Sequence, residues 1–140
     1  MIHVPVLTIR QPWAWAIMNA GKDVENRRWP TAYRGPLAIH AAKGLTRTEY
    51  LEFVRFRQDM PDLPDTPHID DLERGVILGI TDLVDCTRDY DSPWFAGPFG
   101  FVLRCPVKLE TPIQATGRLG LWYTNDGDVE TALETLVIYS

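Results

Sequence analysis

The chain has 140 residues, 45% of them apolar and 24% charged, with a net charge of -5. That composition fits one globular domain with a buried core. No apolar run reaches the roughly 18 to 20 residues of a membrane helix, and the N-terminus lacks the basic start, apolar centre and cleavage site of a signal peptide, so a cytoplasmic protein without membrane contact is expected.

Cys86 and Cys105 are too few and too isolated for a disulfide framework or a zinc site, and both read as reduced, buried thiols. The charge is uneven. Residues 1–58 carry nine Lys and Arg against four acids, and residues 59–140 carry five against fifteen. Such polarity suggests a basic face and an acidic face.

Residues 3–9, HVPVLTI, alternate and are β-branched, which predicts a strand with Pro5 at its start or on an edge. Gln11 to Ala20 predicts a short helix. Pro12 suits its first position, where a missing N–H costs nothing, and Gly21 suits the left-handed residue past its end. The helix is apolar nearly all round, so burial is expected.

Residues 23–29 predict a strand with Asp23, Glu25, Arg27 and Trp29 on one face and Val24, Asn26 and Arg28 on the other. Tyr33 to Pro36 is a turn. LAIHAA is a strand with Leu37, Ile39 and Ala41 inward and His40 opposite. Thr46 and Glu49 make a capping box for a helix reaching about Gln58.

The stretch from Asp59 to Gly75 holds three prolines and six acids without a period, and reads as a long exposed loop. GVILGITDLVDC is a long strand in which Gly79 marks a bend or a close approach. DSPWFAGP is a turn-rich insertion. FGFVLRCPVKL is a long strand with Phe99, Phe101, Leu103, Cys105, Val107 and Leu109 on one face. TGRLGLWY is a glycine-rich turn into a short strand, and residues 128–137 form a last helix capped by Asp128. Five or six strands with helices inserted early do not alternate as βαβα, which disfavours a parallel sheet. An α+β fold built on a small, strongly bent barrel with helices outside fits better.

His3, His40 and His68 show no metal-ligand spacing, and no phosphate-cradling glycine loop or serine elbow is present, so no metal or cofactor is expected. The run from Lys22 to Trp29 stands out because it crowds five charges against the apolar PWAWAIM segment. Two readings stay open. Glu25 and Arg27 form a solvated pair on a barrel rim, worth little. Alternatively they floor a pocket, where Glu25 holds Arg27 or Lys22 and the cation meets an anionic or polar ligand. Gln11 and Trp13 support the pocket, because free N–H groups at a helix start favour anions. Trp13 and Trp15 also read as plain core residues. Trp94, in a glycine- and proline-rich loop, is harder to bury and is the better stacking platform for a base.

QPW, then GKDVENRRW, then YRG resembles the ASCH domain family, and GVILGITDLVDC, DSPWFAGPFGFVL and GRLGLW look like its later strands. The resemblance spans residues 1–140 as one domain, of the stand-alone bacterial or phage kind, and omits the acidic proline-rich loop. It implies a PUA-like mixed β-barrel with flanking helices and a cleft that takes RNA or a modified nucleoside. Lys22, Arg27, Arg34 and Lys43 would supply charge, and Trp13 and Trp94 stacking, with Gln11 at the helix start. Trp29 would line the edge, and His40 would join from the next strand.

Family membership leaves the activity to the site. Some ASCH-like proteins are thought only to bind RNA or DNA, and some are reported to cut single-stranded RNA. One bacterial branch deacetylates N4-acetylcytidine with a Lys, a Thr three residues on and a distant Glu. Lys22 matches that Lys, and Glu25 stands where the Thr would be. A small hydrolase using Lys22 and Glu25 is therefore the second reading. It ranks second because Glu25 favours a charged amine, whereas amide hydrolysis needs a neutral one. Past Gly21, the Lys22 side chain is expected to be free in the cleft and unimportant for stability. The oligomeric state is left open.

Overall fold

The computed structural model describes residues 2–140. In chain order the elements are β1 (Val6–Ile9), α1 (Trp13–Asn19), β2 (Val24–Arg27), β3 (Gly35–Ala41), α2 (Arg47–Arg57), a 3-10 turn (Ile69–Asp71), β4 (Val76–Thr87), β5 (Phe99–Gln114), β6 (Leu121–Trp122) and α3 (Gly127–Tyr139). The six strands form one sheet in the order β2-β5-β4-β3-β1-β6. It is bent into a half-barrel with three helices packed on it, an α+β fold of PUA-like architecture. β1 and β3 pair in parallel, while the other neighbours are antiparallel. The path between them through α1 and β2 is long enough for the crossover a parallel pair needs.

The bend lies in the two longest strands. Their register slips between Ile77 and Gly79, between Ile80 and Asp82, and between Leu83 and Asp85. Bulges of this kind increase local twist and curl a sheet. At Gly79 a Cβ would stand 2.2 Å from Val107 O and 2.9 Å from Lys108 Cα, so the strands approach in a way only glycine allows. Further along, where β5 slips between Val107 and Arg104, Cys105 adopts φ +55. That kink breaks the alternation expected along β5. Phe101 and Leu103 are buried, but Cys105 is exposed and Cys86 is half-buried, so the thiols are not the pair of core groups anticipated.

Both faces of the sheet are covered. Leu7, Leu37, Ile39 and Ala41 pack with Ala14, Ile17 and Met18 of α1. Val6, Ala38, Ile77 and Trp122 pack on the other face with Leu133 of α3. His40, expected opposite the core, is therefore buried as well. A third cluster joins α1 and α2 through Ala16, Ala20, Val24, Phe53 and Trp94.

The helix ends refine the sequence reading. In α2, Thr46 Oγ1 accepts from Glu49 N–H (3.1 Å) and Glu49 Oε1 accepts from Thr46 N–H (3.0 Å), the expected capping box. α1 starts later than expected, with Pro12 as its N-cap. α3 is capped by Asp126 rather than Asp128, since Asp126 Oδ1 accepts from the N–H groups of Asp128 and Val129. The acidic stretch after α2 is pinned rather than loose. Arg57 donates to Leu63 O, Pro64 O and Thr66 Oγ1, and the Tyr50 hydroxyl donates to Pro67 O. Its six acids still face solvent.

Candidate ligand-binding cleft

The half-barrel is open between β2 at one edge of the sheet and β1 near the other. Pro5 O and Ile9 O accept from Ala38 and Ala42 N–H, so the alternate carbonyl of Thr8 turns away from β3. β6 pairs only with Val6 and Leu7, and stops short of Thr8. Arg27 crosses the gap. Its Nη2 donates to Thr8 O (2.8 Å) and lies 3.0 Å from Glu25 Oε2. Lys22 Nζ lies 3.3 Å from Glu25 Oε1 and donates to Val24 O. One carboxylate thus sits between two cations. Lys22 is 4% and Glu25 8% exposed, which removes the solvated rim pair from consideration.

Local sterics aim Lys22. Gly21 takes φ +72, where a glycine costs nothing, and Lys22 N–H donates to Ala16 O (3.2 Å), closing the end of α1. The ammonium then lies 5.8 Å from the Trp13 ring centroid. Burial pulls the Lys22 pKa below the ordinary lysine value; Glu25 and Asp23 oppose that pull and Arg27 adds to it. Burial wins, although the carboxylate looked decisive in the sequence.

Aromatic rings wall the cleft. Trp13 meets Phe53 edge-on (4.9 Å, 78°) and Phe56 likewise (5.3 Å, 66°), and Trp29 meets Phe101 (5.2 Å, 79°). Trp94 also lines the space but is only 6% exposed, so it is a packed wall and not the open platform expected. Asn26 explains the burial. Its Nδ2 donates to Trp94 O (3.0 Å), and its Oδ1 accepts from Ala96 and Gly97 N–H (2.8 and 3.0 Å). A poor strand former inside β2 was the available sign of this brace. The cleft has a volume of about 830 Å³.

The remaining expected residues separate. Gln11 is 1% exposed; its Oε1 accepts from Trp15 N–H (2.9 Å) and its Nε2 donates to Glu73 O (2.8 Å). Ala14 and Ala16 N–H are taken by Arg10 O and Pro12 O, so the start of α1 offers no free donors at these positions for an anion. Gln11 is a structural clamp. Arg34 donates to Thr31 O and Tyr33 O, lies 3.7 Å from Asp85, and does not line the cleft. Lys43 and His40 line a neighbouring groove instead. Arg28, one of the five charges in the Lys22 to Trp29 run, lines the cleft, as do Arg118 and Leu119, which the sequence did not single out. Leu119 is 98% exposed, and an apolar residue inside the GRLG turn was the signal for it. Among the described residues, no group of three or more His, Cys, Asp or Glu could hold a metal ion.

The ASCH domain profile matches residues 7–96, which include the whole cleft floor and the Trp13, Trp29 and Trp94 walls. The chain belongs to the ASCH domain family. Among curated proteins it is similar to Activating signal cointegrator 1 of Homo sapiens, 26% identical over 83% of this chain, and to the Mus musculus protein of the same name, 31% identical over the same share. The chain spans about a fifth of the length of those relatives, 21% in each case. No helix among the described residues of this ASCH domain is long and apolar enough to cross a membrane.

Proposed function

We propose that the cleft of this ASCH domain binds a base or modified nucleoside, carried in RNA or free. The observation that supports it is a floor of buried Lys22 and Glu25 with half-buried Arg27, lining one open cleft together with Trp13 and Trp29. Indole rings offer a base its π-face, and a fixed carboxylate with two cations offers directional polar contacts to its edge. The volume is that of a small-molecule site, large enough for a nucleoside. Arg28 and Arg118 at the rim are exposed and meet phosphate.

One observation favours a second reading, hydrolysis of an acylated base. The buried Lys22 amine has a lowered pKa. In its neutral form it keeps two N–H donors for Val24 O and Glu25, and its lone pair is free to accept a proton from water attacking an acyl carbon. Wild type, Lys22→Arg and Lys22→Met, each checked for folding, separate the two when titrated with a pyrimidine-rich RNA and assayed on N4-acetylcytidine. Binding by the wild type with a log–log salt slope of about -2 to -4, largely kept in Lys22→Arg and without turnover, supports the binding module. Wild-type turnover abolished in both folded variants establishes the hydrolase, because a guanidinium stays protonated. Affinity that is flat with salt and unchanged in both variants rules out the cleft as the binding site.

A further inference from the structure

The cleft does not end at its rim. A second groove, about 970 Å³, shares Thr8, Arg10, Ala42, Arg118 and Leu119 with it, so the two form one continuous depression. Lys43 and Arg74 line the groove's own part. They and Arg118 are exposed, and among the described residues none of the three has an ion-pair partner. Asp126 is the groove's one acid. The ridge between the compartments is the 115–120 turn. It is pinned from below: His40 Nε2 donates to Ala115 O (2.7 Å), and a Cβ on Gly117 would stand 2.8 Å from Thr8 Oγ1 and 2.9 Å from His40 Cε1. Gly120, at φ +68, turns the chain back into β6. The turn therefore holds Arg118 and the 98% exposed Leu119 up between cleft and groove. This ridge lies beyond the residues that the ASCH profile matches.

We infer that the groove carries the backbone of a single-stranded polynucleotide whose neighbouring base occupies the cleft, so the preferred ligand is a strand of several nucleotides and not a free nucleoside. This rests on the cleft reading above. Exposed cations without partners repel one another until anions regularly spaced along a chain occupy them. An apolar side chain standing clear on the ridge offers a packing surface to the next base. A base still stacked inside a duplex cannot reach the buried floor, which selects unpaired strands.

The test measures affinities of wild type and the Lys43→Gln/Arg74→Gln double variant for cytidine, a pyrimidine-rich RNA hexamer and the deoxy hexamer. The wild type is expected to bind the hexamer at least tenfold tighter than cytidine. In the variant that ratio falls by about tenfold or more, and the log–log salt slope for the hexamer shrinks by about 1.4, from two lost contacts at ~0.7 each. The two hexamers tell ribose from deoxyribose strands. A wild type that binds cytidine and hexamer equally, or a variant whose ratio is unchanged, overturns the groove and leaves the cleft reading standing. A wild type that binds none of the three removes both.

Discussion

Lys22 and Arg27 on the cleft floor carry the same charge as Lys43 and Arg74 along the groove, in opposite surroundings. The first two share the Glu25 carboxylate, and Lys22 and Glu25 are almost out of water. The second two stand exposed, with no carboxylate partner among the described residues. A buried charge is held in place by what it would cost to leave it alone. An exposed one costs little to remove and acts on distant anions through a field that salt screens. The floor therefore fixes geometry and the groove supplies charge, and the two respond differently to substitution, pH and salt.

The largest effect belongs to the floor. Glu25→Ala leaves Lys22 and Arg27 facing each other without their carboxylate, and is expected to cost about 3 to 5 kcal/mol in denaturant unfolding. Replacing two members together, as Lys22→Met/Glu25→Leu, is expected to cost less than Glu25→Ala alone. Strictly additive losses would mean that the cluster is solvated. This also revises the expectation that Lys22 is unimportant for stability: at 4% exposure its stem is part of the packing.

Acid gives a smaller, two-stage loss. Burial holds His40 below the usual histidine value against the opposing Ala115 carbonyl, so its neutral form stabilises the fold and that contribution falls away as pH drops below about 6.5. The Arg10 guanidinium holds Glu49 at about 2, so the contribution of this pair is complete above about 4.5 and is lost as pH falls toward 2. The Arg10 and Glu49 side chains are 49% and 28% exposed, so this second stage is worth about 0.5 to 1 kcal/mol after solvent screening. His40→Gln should erase the first stage and leave the second. A first stage that persists in that variant would assign it to another group.

The smallest effects belong to exposed charge. Lys43→Gln/Arg74→Gln is expected to move unfolding free energy by no more than about 0.5 kcal/mol per site, whatever it does to ligand. Arg34→Gln, outside both cleft and groove, should change neither stability beyond that range nor RNA affinity. A clear loss of RNA binding in Arg34→Gln would put the interface on the far side of the Tyr33 turn.

These contrasts also mark what the sequence could carry. Features set by local sterics were legible: the capping box at Thr46 and Glu49, the left-handed Gly21, the close approach at Gly79, and the shared strand face that brings Glu25 to Arg27. Features set by partners far along the chain were not. Gln11 looked like a ligand residue until the Glu73 carbonyl, 62 positions away, took its amide. Trp94 looked hard to bury until Asn26, 68 positions away, tied down its loop. Cys105 followed the strand alternation on paper, and the kink at its own φ breaks it. The depth of the Lys22–Glu25–Arg27 cluster depends on where the half-barrel is left open, which no spacing along the chain encodes.

The five tryptophans allow one direct measurement, because each indole N–H gives its own signal in a nitrogen-resolved NMR spectrum. Trp13 and Trp29 line the cleft, Trp122 lines the groove, and Trp15 lines a separate depression on the other side of α1. Cytidine is expected to shift the Trp13 and Trp29 signals and leave Trp122 and Trp15 in place. A pyrimidine-rich RNA hexamer is expected to shift Trp122 as well, with Trp15 still unmoved. Trp13 and Trp29 signals that stay fixed while bound RNA shifts Trp15 would contradict the assignment of the cleft.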